Sequence, residues 1–147
     1  FDMRVEPFLL ASTLNAVVAQ RLVRKICAKC KIKDKLPEDV TTNIKEKLKE
    51  IPTEALYSNV DINKMVFYKG EGCSNCGKTG YKGRLSIVEA INITRGLQTA
   101  VVDGFHRSVV EEELKKQHFI TMEQDGLVKT LLGLTTIEEV LRVSKLQ

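Results

Sequence analysis

Apolar residues recur along this chain with two spacings, and the change from one to the other outlines its elements. Glu6 to Ser12 reads as a short helix with Pro7 in its first turn, where a missing N–H is tolerated. From Leu14 to Ile26 the two spacings compete. Leu14, Val17, Val18, Leu22 and Ile26 fit a helical face, whereas valines interleaved with Gln20, Arg21 and Arg24 fit a buried strand. Periodicity leaves both open. Pro37 to Glu50 is read as a helix, with Val40, Ile44 and Leu48 as a narrow apolar stripe and Pro52 as its stop. Asn63 to Lys69 reads as a strand through Met65, Val66, Phe67 and Tyr68. Arg84 to Ile93 reads as another through Leu85, Ile87, Val88, Ala90 and Ile91.

The last third is helical in pattern. Leu97 to Val102 predicts a short helix, and a hydroxyl stands three residues ahead of an acidic or amide side chain at Ser108/Glu111, Thr121/Gln124 and Thr135/Glu138. In such a capping box the hydroxyl accepts from a free backbone N–H, and the later side chain answers the cap's own N–H. These boxes predict helices at about Val109–Gln117, Met122–Leu132 and Ile137–Val143, with Gly133 as a C-terminal cap. The class is therefore α+β, ending in a small helical bundle.

Composition changes this picture little. With 43% hydrophobic and 29% charged residues, the chain has the make-up of a globular domain, and without Trp its core must be mainly aliphatic. No apolar run approaches the roughly 20 residues of a membrane-spanning helix, and no signal peptide is visible. The chain opens at Phe1 within a hydrophobic-patterned stretch, which leads us to expect a segment of a longer protein. Charge is more informative. The net charge is +4, and seven cations crowd between Arg21 and Lys35, while the last third is slightly acidic. Such a cluster suits nucleic acid, anionic lipid, an acidic protein face or plain solvent.

All four cysteines fall into two pairs with C-x-x-C spacing, Cys27/Cys30 and Cys73/Cys76. Two intervening residues let a tight turn aim both sulfurs at one ion, and two such knuckles complete a tetrahedral zinc shell with no position open for catalysis. Glycines at positions 70, 72, 77, 80 and 83 suit the second knuckle, and Lys29, Lys31 and Lys78 are expected to favour thiolate over thiol. Disulfides within the pairs would be redox sites, for which nothing else in the sequence speaks. The sequence holds no phosphate loop of the form G-x-x-x-x-G-K-[ST], no G-x-S-x-G and no H-E-x-x-H. His106 and His118 are isolated. The chain alone therefore reads as a binding or structural module, without a catalytic constellation.

Three strings together resemble one family: Glu6 to Cys30 (EPFLLASTLNAVVAQRLVRKICAKC), Gly72 to Glu89 (GCSNCGKTGYKGRLSIVE) and Asp125 to Val143 (DGLVKTLLGLTTIEEVLRV). They are similar to the C-terminal part of the type II secretion and type IV pilus assembly ATPases. The resemblance implies a hexameric cytoplasmic motor with a RecA-like core, peripherally associated with the inner membrane. Its partners would be neighbouring subunits and the cytoplasmic domain of a membrane platform. It implies that residues 1–26 are the tail of that core, favouring a strand over Ala16 to Lys25. Residues 27–93 would be a tetracysteine zinc subdomain with a helical insertion, and 94–147 a helical subdomain. Zn²⁺ would be held by Cys27, Cys30, Cys73 and Cys76, and ATP with Mg²⁺ would bind only in the full-length parent. Gly77, Gly80 and Gly83 match the family's glycines as turn positions, and Tyr81 and Arg84 match without an assigned role. Arg21 is the one candidate for nucleotide phosphate at a subunit boundary, where a guanidinium stabilises charge; an ion pair or open surface is the commoner fate of such a residue. The alternative is an independent zinc-ribbon module that binds nucleic acid through its lysines, with Tyr81, Phe67 and Tyr68 the only aromatics near enough to stack on bases.

Overall fold

The structure, a computed structural model, describes residues 5–56, 60–62 and 64–144. In chain order its elements are α1 (Pro7–Thr13), β1 (Ala16–Ile26), β2 (Lys31–Asp34), α2 (Glu38–Lys49), β3 (Phe67–Gly70), β4 (Tyr81–Asn92), α3 (Arg95–Val102), α4 (Arg107–Lys116), α5 (Met122–Leu131) and α6 (Ile137–Ser144). Two further single turns of 3₁₀-helix lie at Thr53–Ala55 and Ser74–Cys76. This is a mixed α/β architecture. The contest over Leu14 to Ile26 is settled as strand from Ala16 onward, because β1 has a partner in β4, while Leu14 caps the end of α1. Cys27 N–H bonds the Gly80 carbonyl at 2.9 Å at one end, and Ile93 N–H bonds that of Asn15 at 2.8 Å at the other, so the two strands run antiparallel. A second two-stranded sheet joins β2 to β3, antiparallel, from Lys31 opposite Gly70 to Asp34 opposite Phe67.

The chain forms two compact units. The smaller comprises residues 1–19 and 90–119, the larger residues 20–89 and 120–147. In the larger unit, Ile44, Leu48, Ile51, Phe67, Leu127, Val128 and Ile137 form one buried cluster. The stripe expected on α2 is its source: Ile44 and Leu48 are buried and Val40 packs beside them. Val23, Ile87 and Val140 are also fully buried. Helices α5 and α6 approach so closely that a Cβ on Gly126 would meet Val140 Cγ1 at 2.6 Å. Asp125 ties α5 to β4. Its carboxylate accepts from Val88 N–H at 2.8 Å and from Lys129 Nζ at 2.6 Å, and Lys129 also donates to the Ser86 carbonyl.

The smaller unit is built differently. Helix α1 packs on α3 and α3 on α4, but its buried apolar side chains among the described residues are only Ala11, Leu97 and Ala100. Thr94 caps α3 by accepting from Leu97 N–H at 3.3 Å, and donates to Glu113 on α4. Phe8, Leu9, Val102 and Phe105 lie exposed on this unit.

Several expected boundaries are corrected. The strand expected over Asn63 to Lys69 begins only at Phe67, because its partner β2 reaches no further than Asp34; Asn63 lies outside the described residues. Strand β2 was not expected at all. Strand β4 starts at Tyr81, before Arg84, because Gly83 is accommodated within it at φ 84°. The box at Thr121/Gln124 forms as expected, and Gly133 closes α5 at φ 65°, with Gly133 N–H bonded to the Thr130 carbonyl and Leu134 N–H to that of Lys129. Ser108 caps nothing. Helix α4 begins at Arg107, and Glu111, its supposed answer, is held by Arg107 Nε at 2.7 Å. At the start of α6 the accepting hydroxyl is Thr136, not Thr135, which instead donates to the Arg24 carbonyl at 2.8 Å.

Candidate metal centre

The cysteine cluster is assembled by strand pairing within the larger unit. Cys27 follows β1 and lies beside Gly80, which precedes β4. Cys30 precedes β2, and its carbonyl accepts from Glu71 N–H at 3.0 Å, just after β3. Pairing β1 with β4 and β2 with β3 therefore delivers both knuckles to one point, although 42 residues separate them in sequence. Each knuckle closes with the same bond, Cys30 N–H to the Cys27 carbonyl and Cys76 N–H to the Cys73 carbonyl, both at 3.2 Å. Two glycines make the approach possible. A Cβ on Gly70 would strike the Gly80 carbonyl, and one on Gly80 would sit 2.5 Å from the Gly70 oxygen.

All four sulfurs lie within 4.8 Å of one another. Cys27 to Cys73 is 3.9 Å, while Cys30 to Cys76 and Cys73 to Cys76 are each 3.8 Å. A zinc–sulfur bond of about 2.3 Å places the corners of a tetrahedron about 3.8 Å apart, so this spacing fits a tetrathiolate ion. The donor set agrees. The Asn75 amide, 3.6 Å from Cys27 Sγ, and the Lys29 N–H draw the Cys27 thiol below its ordinary value. The Cys73 N–H draws Cys76 down to about 6, whereas burial pushes Cys30 up to about 12. Hydrogen bonds thus favour charge on Cys27 and Cys76, while burial opposes it on Cys30; a dication is the group that would hold all four as thiolates.

The expected role of the Lys31 ammonium at the sulfurs is corrected. The donors there are backbone N–H groups and Asn75, and Lys31 is turned onto the Tyr68 ring, 4.2 Å from its centroid. Asn75 was missed in the sequence. It spans from the second knuckle to a sulfur of the first, and its own oxygen accepts from Lys82 Nζ at 2.8 Å. Its place between Cys73 and Cys76 was the available signal.

Arg21 is not part of this cluster. It is exposed, donates to the neighbouring Gln20 carbonyl at 3.2 Å, and borders a small cavity with Glu89 and Thr121. Arg24 is an ion-pair residue. Its Nη2 lies 2.7 Å from Glu139 Oε1, its N–H donates to Glu139 Oε2 at 2.8 Å, and its guanidinium covers the Tyr81 ring at 4.2 Å. Burial of Glu139 would raise its pKa, but hydrogen bonds from Arg142 and Arg24 outweigh it and hold the carboxyl at about 2. Tyr81 is anchored through its hydroxyl to Thr136 at 3.0 Å. No helix among the described residues is long and apolar enough to cross a membrane.

Comparison with known proteins places this geometry. The family described as "Type II/IV secretion system protein" matches residues 1–142, and the chain belongs to that family. It is 38% identical over 140 residues to the type IV pilus assembly ATPase PilB of Thermus thermophilus, covering 95% of this chain and 14% of that protein. It is 35% identical over 144 residues to the PilB of Pseudomonas aeruginosa, covering 98% and 23%. With the type II secretion system protein E of Pectobacterium carotovorum it shares 39% over 147 residues, covering 98% and 26%. The chain thus spans roughly a quarter or less of the length of these relatives.

Proposed function

We propose that this chain is the zinc-stapled, C-terminal part of a hexameric ATPase that powers type IV pilus assembly or type II protein secretion. The observation that carries this reading is the four-sulfur cluster, with tetrahedral spacing, in a chain of the type II/IV secretion family. Cys27, Cys30, Cys73 and Cys76 would hold the ion. A zinc with four thiolates has no position left for water or substrate, so its contribution is structural. It would tie the ends of β1 and β4 to those of β2 and β3.

Residues 1–26 would then continue a RecA-like core, 27–93 form the zinc subdomain and 94–147 the helical subdomain. ATP and Mg²⁺ would bind outside this sequence, which has no phosphate loop. The exposed Arg21 would be available to nucleotide phosphate across a subunit boundary. Neighbouring subunits and the cytoplasmic domain of an inner-membrane platform would be its partners, at the cytoplasmic face of that membrane. The nucleic-acid reading gains no support. Phe67 is buried, Tyr68 lies under Lys31 and Tyr81 under Arg24, so the aromatics near the knuckles are already engaged.

The test is a Cys73→Ser change in the native gene. Pilus assembly or secretion should be lost, and ATP hydrolysis by the purified hexamer should fall, while Ser74→Ala leaves both intact. Normal assembly with Cys73→Ser, or salt-sensitive DNA binding by a protein that does not hydrolyse ATP, would contradict the reading.

A further inference from the structure

Within the larger unit, a cavity of about 550 Å³ is lined by Leu22, Val23, Arg24, Arg84 and Arg142. Two of its three guanidiniums are held from beneath by one carboxylate. Glu139, its side chain only 2% exposed, binds Arg24 at 2.7 Å and Arg142 at 2.9 Å, yet those two side chains remain 52% and 54% exposed. Arg24 is further fixed on Tyr81, which Thr136 holds in turn. A guanidinium has five N–H donors, and Glu139 takes one from Arg24 and two from Arg142. The remaining donors are thus carried by groups whose positions are already set. Arg84, on β4, makes no ion pair among the described residues. The three arginines of the lining and the one carboxylate beneath them carry a net charge of +2.

Clamping α6 to β1 through Glu139 requires one guanidinium. The second, and the unpaired third, exceed that need. We propose that this cavity binds a phosphate group. Guanidinium forks match the oxygens of phosphate, and pre-set forks lose little entropy on binding. A single carboxylate would neutralise only half of the charge, whereas a phosphate monoester carries about −1.5 to −2 at pH 7. Leu22, exposed at the same cavity, offers an apolar wall to the organic part of a ligand.

The experiment is a titration of the zinc-loaded chain with inorganic phosphate, and separately with ATP, at ionic strength held constant with chloride and followed by amide NMR. Saturable shifts are expected at Leu22 to Arg24, Arg84 and Arg142. Arg84→Gln removes no described contact, so its melt should be unchanged, and it should weaken binding by about tenfold. Tighter binding of ATP at the same amides would identify an organic phosphate as the ligand; equal affinity would identify the phosphate group alone. Shifts that never saturate, or that centre on Lys29 to Lys35 and are indifferent to Arg84→Gln, would overturn the proposal.

Discussion

The two units of this chain are stabilised in different ways. The larger buries Leu48, Ile87, Leu127, Val23, Val128 and Val140 essentially completely, and adds a buried carboxylate, Glu139, that joins strand to helix. Among the described residues, the smaller buries only Ala11, Leu97 and Ala100, while eight of the ten large exposed apolar side chains lie on it. Clusters of exposed apolar residues mark surfaces suited to being covered. A core of two alanines and one leucine supplies little burial energy. The same solvent thus acts on two very different surfaces. One unit has its own core and a site for a metal staple, and the other owes much less of its stability to burial within itself.

The largest effect on this contrast should come from the core. Leu48→Ala, at a side chain with no exposure, should destabilise the larger unit by about 3 kcal/mol in chemical denaturation. Val102→Ala, at an exposed position of the smaller unit, should change stability by less than about 0.5 kcal/mol. Similar losses at the two sites would remove the distinction.

Glu139→Gln should cost on the order of 2 kcal/mol, less than a fully buried pair would, because both guanidiniums reach solvent. Its acid dependence has a definite sign. With the folded carboxyl at about 2 against an ordinary 4.5, its contribution is complete above 4.5 and is lost as pH falls through about 2. Melting temperatures measured across that window should fall in the parent chain and fall less in Glu139→Gln; parallel curves would show that Glu139 is not the group responsible.

The smallest expected change is at a helix cap. Thr121→Ala removes the hydroxyl that accepts from Gln124 N–H at 3.2 Å and should cost about 1 kcal/mol. Ser108→Ala, at an exposed hydroxyl that caps nothing, should be silent. Thermal melts of the two variants suffice, and an equal loss in both would restore the box at Ser108.

What could be read in the sequence was local. The stripe on α2, the Thr121/Gln124 box and the closing glycine at 133 are all short-range patterns, and the structure bears out each of them. The two cysteine pairs are short-range patterns too, and the fold brings their sulfurs within 4.8 Å of one another. Where the outcome depends on a distant partner, the pattern is silent. Ala16 to Ile26 is a strand because β4 lies beside it, and Lys31–Asp34 is one because β3 does. Thr135 and Thr136 are adjacent hydroxyls, and a contact to Arg24 decides which of them caps α6. Asn75 and Glu139 act across 48 and 115 residues of sequence, a separation at which spacing carries no signal.

The central claim is that one metal ion joins the knuckles of the larger unit, and elemental analysis of the purified chain, with a melt before and after chelation, tests it most directly. The account predicts about one zinc per chain and loss of the cooperative unfolding of the larger unit when the zinc is removed. A chain without metal, with an unchanged melt in chelator, would contradict it and leave the four cysteines as packing or redox residues.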